Sequence, residues 1–540
     1  MKPIVVVGLD GATWDVILPL VKAGRLPVLA QLMKEGSWAK LRSIAPPLSP
    51  PAWASFMTGA NPGKTRIFDF VGRADDGGFR LVNGQWRALP SLWRLLSDAG
   101  RRVAVINVPM TYPPEAVNGV LIAGMDAPTK DRPVGYPDDI ARQLAAAGLP
   151  YRVEVHASRL IRQAPERFMQ TYVQQVNQVA HEHGAVARWA WQHVRPDFLM
   201  VTLVNTDRVG HAAGRFLKDF ADETRVATLG DDHPIVATYR TADEELGRIL
   251  EALPDDVTLL VMSDHGFQPY DQVFNLNFWL KEQGWLHLDE GKLRPSRLGP
   301  LAPLWKRLQY RLGGYARSNL LTQAKFFRAI DWSRTRAYSF GAFGSIFVNL
   351  KGRDPYGIVE PGREYEDILD ALSEQLLALK DPNTGAAIVQ RVRRASEVYS
   401  GPYVRFGPDL LLETAPGYFI RNALDEYRPQ LLYPAGRYGD RSLEHTGMHH
   451  PDGIVLLRGP HVRSGQQERV SILDLAPTLL ALADLPVPSY MDGRPLAAWF
   501  DPPLEWQRVQ TGEADEGDTE GYSAEEEALI AEHLRELGYL

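Results

Sequence analysis

The chain contains no cysteine among its 540 residues. Disulfides, thiolate metal sites and cysteine nucleophiles are therefore excluded. No stretch approaches the roughly 20 apolar residues of a membrane span. The N-terminus lacks the cationic region, apolar run and small-residue cleavage pattern of a signal peptide, and enters a strand-like run at once. A cytoplasmic location is the expectation. Strong positive charge is also missing. The net charge is -7, so nothing global argues for nucleic-acid binding, which usually needs a basic face. There is no internal repeat and no heptad array.

What is present reads as α/β. Ile4 to Leu9, Arg102 to Asn107, Phe198 to Val204 and Val257 to Met262 are apolar runs rich in β-branched residues. Such runs fit buried strands of a parallel sheet. Trp14 to Gly36, residues 160 to 195 and Ile235 to Leu253 carry helical spacing. His181-Glu182-His183, inside the long helical pattern, fits a solvated helix face better than a metal site, because i and i+2 diverge on a helix. Arg336 to Leu350 returns to a strand pattern, and Tyr365 to Leu379 reads as helix. Residues 501 to 540 read as an acidic linker and a short C-terminal helix opened by the capping box Ser523-Ala524-Glu525-Glu526.

Gly291 to Ile330 holds nine Lys or Arg and no acidic residue. It reads as part of a basic, cap-like insertion over about 268–335. The bland alternative is a solvated helical face.

Three of the four apolar runs end in an acidic residue: Asp10, Asp207 and Asp264. Ligands gather at the carboxyl ends of strands in open α/β sheets. His211 lies one helical turn after Asp207, and His265 follows Asp264 directly. An uncompensated carboxylate cluster would repel itself, so a cation is the natural remedy. A later loop, Glu444 to Gly453, offers His445, His449 and His450, and imidazole is the commonest metal-binding side chain. At least one of the three is expected to supply a ligand. Ser49 sits among Pro46, Pro47, Pro50 and Pro51. The prolines predict that no regular helix runs through that point, with Ala52 to Met57 starting one after it. A hydroxyl at a helix N-terminus is placed to meet an anion through free N–H groups. Alone, the stretch would read as a proline-rich turn with a serine cap.

Together these residues divide into two cation sites. Asp207, His211 and His449 make one. Asp10, Asp264 and His265 make the other, with Ser49 bridging. Nitrogen and oxygen ligands without sulfur point to two divalent ions, zinc first, with manganese or iron as alternatives. Two such ions suit in-line phosphoryl displacement, with a metal-activated serine as nucleophile.

The chain resembles the alkaline phosphatase superfamily, closest to its type I phosphodiesterase/nucleotide pyrophosphatase branch. The stretches that carry the resemblance are LDGATWD, LSPPAWASFMTGANPGKTRIFDF, VNTDRVGH, SDHGF, GMHHPDG and LDLAPTLL with MDGRPL, spread over residues 3–496. The resemblance implies a three-layer sandwich with a mostly parallel central sheet, a catalytic domain over 1–500 with an inserted cap, and the seven residues above in the stated roles. His449 keeps the family's spacing to Asp452-Gly453 and is preferred on that ground, with His445 and His450 as alternatives. Ser49 takes the nucleophile position and would carry a phosphoseryl intermediate. Phe70 stands where eukaryotic nucleotide pyrophosphatases hold an Asn, and Thr65-Arg66 where relatives have His-Gly. Sulfatases share the fold, but their motif needs an Arg where this chain has Trp53.

The expected activity is metal-dependent hydrolysis of a phosphoester. The partner would be a phosphorylated small molecule, a nucleotide, or a lipid- or glycan-linked substrate. Residues 292–328 would offer peripheral membrane contact. Oligomeric state is left open. The alternatives are a phospho-group transferase of the same superfamily and a non-catalytic, metal-stabilised binding protein.

Overall fold

Strand Ile4–Leu9 shows how the chain is layered. Its side chains alternate between two faces, as a strand requires. Val5, Val7 and Leu9 join one apolar cluster; Ile4 and Val6 join another. Helices Trp14–Lys22, Pro165–Val194 and Pro234–Glu251 cover the first face. Helices Ser49–Thr58, Leu92–Asp98 and Leu475–Leu482 cover the second. The result is a three-layer α/β sandwich. The computed structural model describes residues 2–160, 165–289, 327–422, 430–435, 445–511 and 521–536.

Among the described residues, the central sheet has ten strands. Thr258–Met262, Ile4–Leu9, Phe198–Leu203, Val103–Val108 and Gly119–Ala123 lie side by side in parallel. Asp452–Arg458 runs antiparallel between Thr258–Met262 and Ser37–Arg42. Every residue of the three innermost strands is buried. That agrees with continuous apolar runs covered on both sides.

A second, four-stranded sheet is built from Ala337–Ser339, Ser345–Val348, Leu410–Thr414 and Val389–Arg394, with helix Arg363–Leu377 contributing to its core. The 292–328 stretch, with its proposed membrane contact, lies outside the described residues except for Phe327 and Arg328.

Two local expectations are refined, and two need correction. Trp14 to Gly36 forms two helices, Trp14–Lys22 and Pro27–Glu35, that meet at 100°. Gly24, at φ +70°, ends the first, and Pro27 opens the second. Arg336 to Leu350 is an antiparallel hairpin, because Gly341, Phe343 and Gly344 all take positive φ and turn the chain. The helix expected from Ala52 begins at Ser49 itself. Pro50 and Pro51 occupy its first turn, where the missing N–H has no intrahelical partner to lose. The histidine-rich segment is partly a strand: Gly447–His450 pairs antiparallel with Gly266–Asn275.

The C-terminal helix, Ala524–Glu536, packs back on the catalytic layer. Ile530, Ala531 and Leu534 are buried with Leu48, Phe70, Leu81 and Met125. The solvated-face reading of His181-Glu182-His183 is corrected: Glu182 and His183 are buried, and all three residues have structural partners. Glu182 pairs with Arg152, His181 with Glu245, and His183 with the Arg152 carbonyl.

Candidate active site

The sheet register brings the acidic strand ends together. Leu9 lies opposite Leu203, and Gly8 opposite Met262. Asp10 therefore leaves the sheet beside Asp264 and beside helix Asn205–Ala213, which carries Asp207 in its first turn and His211 in its last. The three carboxylates are each 0% exposed.

Each carboxylate commits one oxygen to a protein donor. Trp53 Nε1 donates to Asp10 Oδ2 at 3.3 Å, and the Gly11 amide to Asp264 Oδ1 at 3.3 Å. Arg208 Nη1 donates to Asp207 Oδ2. The opposite oxygens, Asp10 Oδ1, Asp207 Oδ1 and Asp264 Oδ2, are buried without a hydrogen-bond partner. A buried orphan acceptor costs about 1–3 kcal/mol, more when charged, so three in one place fit a bound cation.

The imidazoles face the same point. The Nδ1 of His265 lies 3.0 Å from the Gly266 carbonyl, and the Nδ1 of His449 lies 2.7 Å from the Pro47 carbonyl. A carbonyl can only accept, so both Nδ1 atoms carry a proton, and Nε2 is the atom of each ring left to face the cluster. His265 Nε2 is 3.3 Å from Asp264 Oδ2 and 3.8 Å from Asp10 Oδ1. His449 Nε2 is 3.0 Å from His211 Nε2 and 3.5 Å from Asp207 Oδ1. His211 Nε2 is also 3.5 Å from Asp207 Oδ1.

Two sets of ligand atoms lie within 4.8 Å of one another: Asp207, His265 and His449, and Asp10, Asp264 and His265. His265 is thus shared, and His211 adds to the first set by the distances above. The Ser49 hydroxyl is 3.3 Å from His265 Nε2 and 1% exposed. All seven residues singled out in the sequence meet here. The donor set is nitrogen and oxygen only and fits two divalent cations.

Electrostatics carry the same message. Burial raises Asp10 well above the usual carboxylate range, and the nearby Asp264 and Asp207 raise it further. Burial pushes Asp264 up to about 6. Burial would raise Asp207 too, but His211 and Arg208 hold it far below the usual range. Burial lowers His211 and His265 well below the ordinary imidazole value, so both are neutral and able to act as ligands.

The other two histidines of the segment sit differently. The His450 Nδ1 accepts from the Asp452 amide, on the opposite side of the strand from His449. The His445 ring stands 5.8 Å from that of His211.

One part of the anion reading is corrected. Of the first three residues of helix Ser49–Thr58, only Ser49 has an N–H, since prolines follow it, and the Ala52 amide is bonded to the Leu48 carbonyl. The helix end therefore offers few backbone donors to an anion. Sequence reasoning missed Arg208, which pins Asp207, and Trp53, which pins Asp10. Trp53 lies four residues after Ser49, on the same helix face, a spacing that could have flagged it. Phe70 shares a buried apolar cluster with Leu48, so no polar side chain reaches toward Ser49 from that position.

No curated protein matches the sequence. Among solved structures, phosphonoacetate hydrolase from Sinorhizobium meliloti 1021, in complex with phosphonoformate, aligns at 15% identity and TM-score 0.54, covering 88% of this chain and 94% of that one. The same enzyme in complex with phosphonoacetate gives 16% identity and TM-score 0.53, at the same coverage. Human ectonucleotide pyrophosphatase/phosphodiesterase 5 aligns at 13% identity and TM-score 0.49, covering 93% of this chain and 100% of that one. The first two likenesses show a shared alkaline-phosphatase-like fold. The family model described as type I phosphodiesterase/nucleotide pyrophosphatase matches residues 4–452, a span that holds all seven site residues. The chain belongs to the type I phosphodiesterase/nucleotide pyrophosphatase family, and is a phosphoester hydrolase.

Proposed function

We propose that the protein hydrolyses a small phosphorylated substrate through a phosphoseryl intermediate on Ser49, at a site built for two divalent cations. The observation that carries this reading is the convergence of three orphaned carboxylate oxygens and the imidazole nitrogens beside the Ser49 hydroxyl. Asp207, His211 and His449 would hold one cation. Asp10, Asp264, His265 and the Ser49 oxygen would hold the other. Bound there, the cations supply Lewis-acid stabilisation of phosphoryl charge and lower the pKa of a coordinated hydroxyl. Zinc is the first choice for this ligand set, with manganese the alternative.

The chain's own residues do the rest. The start of helix Ser49–Thr58 fixes the nucleophile, because Pro46 and Pro47 before it and Pro50 and Pro51 in its first turn restrict the backbone around Ser49. Trp53, Gly11 and Arg208 hold the three carboxylates so that one oxygen of each faces the cluster. Ser49 Oγ forms a bond to phosphorus as the bond to the leaving oxygen breaks. Water then cleaves the seryl ester and restores the hydroxyl. The apolar neighbours Leu48 and Phe70 argue against a polar nucleotide-type contact at that wall. The cytoplasmic location expected from the sequence is retained as part of this proposal.

The test is a screen of zinc- and manganese-loaded protein against nitrophenyl monoesters, diesters, phosphonates and sulfates, with and without added alcohols. Turnover of a phosphorus ester or phosphonate, lost with chelator, is expected. Phosphoryl transfer to the alcohol in place of hydrolysis would move the assignment to a transferase. Cation binding with no turnover on any class would make the protein a metal-stabilised binding protein.

A further inference from the structure

The family match ends at residue 452, yet the chain returns to the catalytic layer well beyond it. Helix Ala524–Glu536 packs into the cluster that holds Leu48 and approaches Glu154. On one side, Ile530, Ala531 and Leu534 share a buried apolar cluster with Leu48, the residue that precedes the nucleophile. On the other, His533 is 2% exposed, with its Nε2 3.6 Å from Glu154 Oε2.

Glu154 leads inward to the cation cluster. Its Oε2 accepts from Arg208 Nε at 2.5 Å, and its Oε1 accepts from the Val155 amide at 3.0 Å. Arg208, 1% exposed, then donates through Nη1 to Asp207 Oδ2 and places Nη2 3.6 Å from Met125 Sδ. Burial alone would raise Glu154, but Arg208 and His533 hold it below the usual range, so the carboxylate stays charged. A guanidinium held at both ends cannot swing. Asp207 is thereby fixed with its free oxygen, Oδ1, toward His211, His265 and His449.

The helix has its own attachments. The Tyr522 hydroxyl donates to the Asp126 carbonyl at 2.8 Å, and the Tyr112 hydroxyl donates to Glu526. The Tyr112 and Tyr522 rings stack with centroids 5.8 Å apart.

We propose that His533, Glu154 and Arg208 are positioning residues for the cation ligand Asp207, and that docking of the C-terminal helix is part of building the active site. The inference rests on the two-cation reading above. Outer partners of metal ligands fix ligand orientation, and their loss typically costs 10- to 100-fold in affinity or activity.

The test uses the full-length protein. Glu154→Gln, His533→Ala, His533→Gln and Leu534→Asp are compared with wild type. Zinc affinity is measured by competition with a chromophoric chelator, kcat and KM with a nitrophenyl ester, and release of the helix by limited proteolysis. Glu154→Gln and Leu534→Asp should each weaken zinc binding by about 10- to 100-fold and lower kcat more than they raise KM. His533→Ala should do the same more weakly, and His533→Gln should recover part of the loss. If Leu534→Asp does not fold, the double variant Tyr522→Phe/Glu526→Gln removes the outer attachments instead. Wild-type zinc affinity and kcat in a variant whose helix is released would overturn the inference while leaving the two-cation reading intact. A wild-type protein that binds no cation would overturn both.

Discussion

Replacing Asp264 by asparagine should change stability in opposite directions with and without a divalent cation. In the cation-free protein, burial pushes Asp264 from its ordinary 3.8 up to about 6. The folded-state value lies above the unfolded one, so the fold holds an extra proton between about pH 4 and 6. The stability tied to this group is therefore highest below pH 4 and is lost as pH rises through 6. At 1.36 kcal/mol per pH unit, the ionised carboxylate costs the cation-free fold roughly 3 kcal/mol at pH 8, part of it shared with the adjacent Asp10. Asparagine is nearly the same shape, keeps an acceptor for the Gly11 amide and carries no charge. In chelator at pH 8 the variant should be more stable than wild type. The difference is about 3 °C in Tm, given roughly 2.1 cal/mol/K per residue, and it should shrink toward zero near pH 4.

Comparing the two proteins isolates Asp264 from Asp69 and Asp126, also raised to about 6 by burial, and from His183, lowered to about 4 by burial. With cation at 100 times its Kd, wild type gains about 2.7 kcal/mol per site. The variant, with a weakened ligand set, should lose most of that gain, so the order reverses. Thermal unfolding followed by circular dichroism, at pH 4.5 and 8 with and without zinc, reads all four states. The reasoning is refuted if Asp264→Asn is less stable than wild type in chelator at pH 8, or if zinc stabilises both proteins equally.

Two further predictions concern the nucleophile and the histidine strand. Ser49→Ala should retain most bound metal in elemental analysis while losing turnover by several orders of magnitude, because no other described side chain stands in its place. Near wild-type hydrolysis by that variant would remove Ser49 from the mechanism. A Cβ at Gly447 would come within 2.1 Å of the Gly210 carbonyl, which is backbone and cannot yield. Gly447→Ala should therefore shift the strand that carries His449, destabilise the protein by about 1–3 kcal/mol and weaken zinc binding. Unchanged zinc affinity would show that strand register does not place the ligand.

The four central strands and the three acidic residues were legible because strand burial and strand-end position are local properties of the sequence. His211 was legible because one helical turn separates it from Asp207. The preference for His449 over His450 came from the family's spacing to Asp452-Gly453. The structure gives the physical reason, since alternation along Gly447–His450 sends neighbouring side chains to opposite sides of the strand. Other features depend on partners far apart in the chain. The proton on His449 Nδ1 is fixed by Pro47, 402 residues away, and the Asp10 carboxylate by Trp53, 43 residues away. Arg208 stands next to Asp207 in sequence, but its partner Glu154 and the helix bearing His533 come from remote segments. The start of the nucleophile helix was misplaced for a different reason. Proline was weighed as a helix breaker, whereas in a first turn it is compatible with helix.

The central claim is that Ser49 carries the phosphoryl group. Zinc-loaded protein should be mixed with a slowly hydrolysed nitrophenyl ester, quenched in acid during turnover, digested and mapped by mass spectrometry. The account predicts one added phosphoryl group on the peptide containing Ser49, absent in Ser49→Ala and absent when chelator precedes substrate. Steady turnover with a burst-free time course and no labelled peptide, or a label on any other residue, would contradict it.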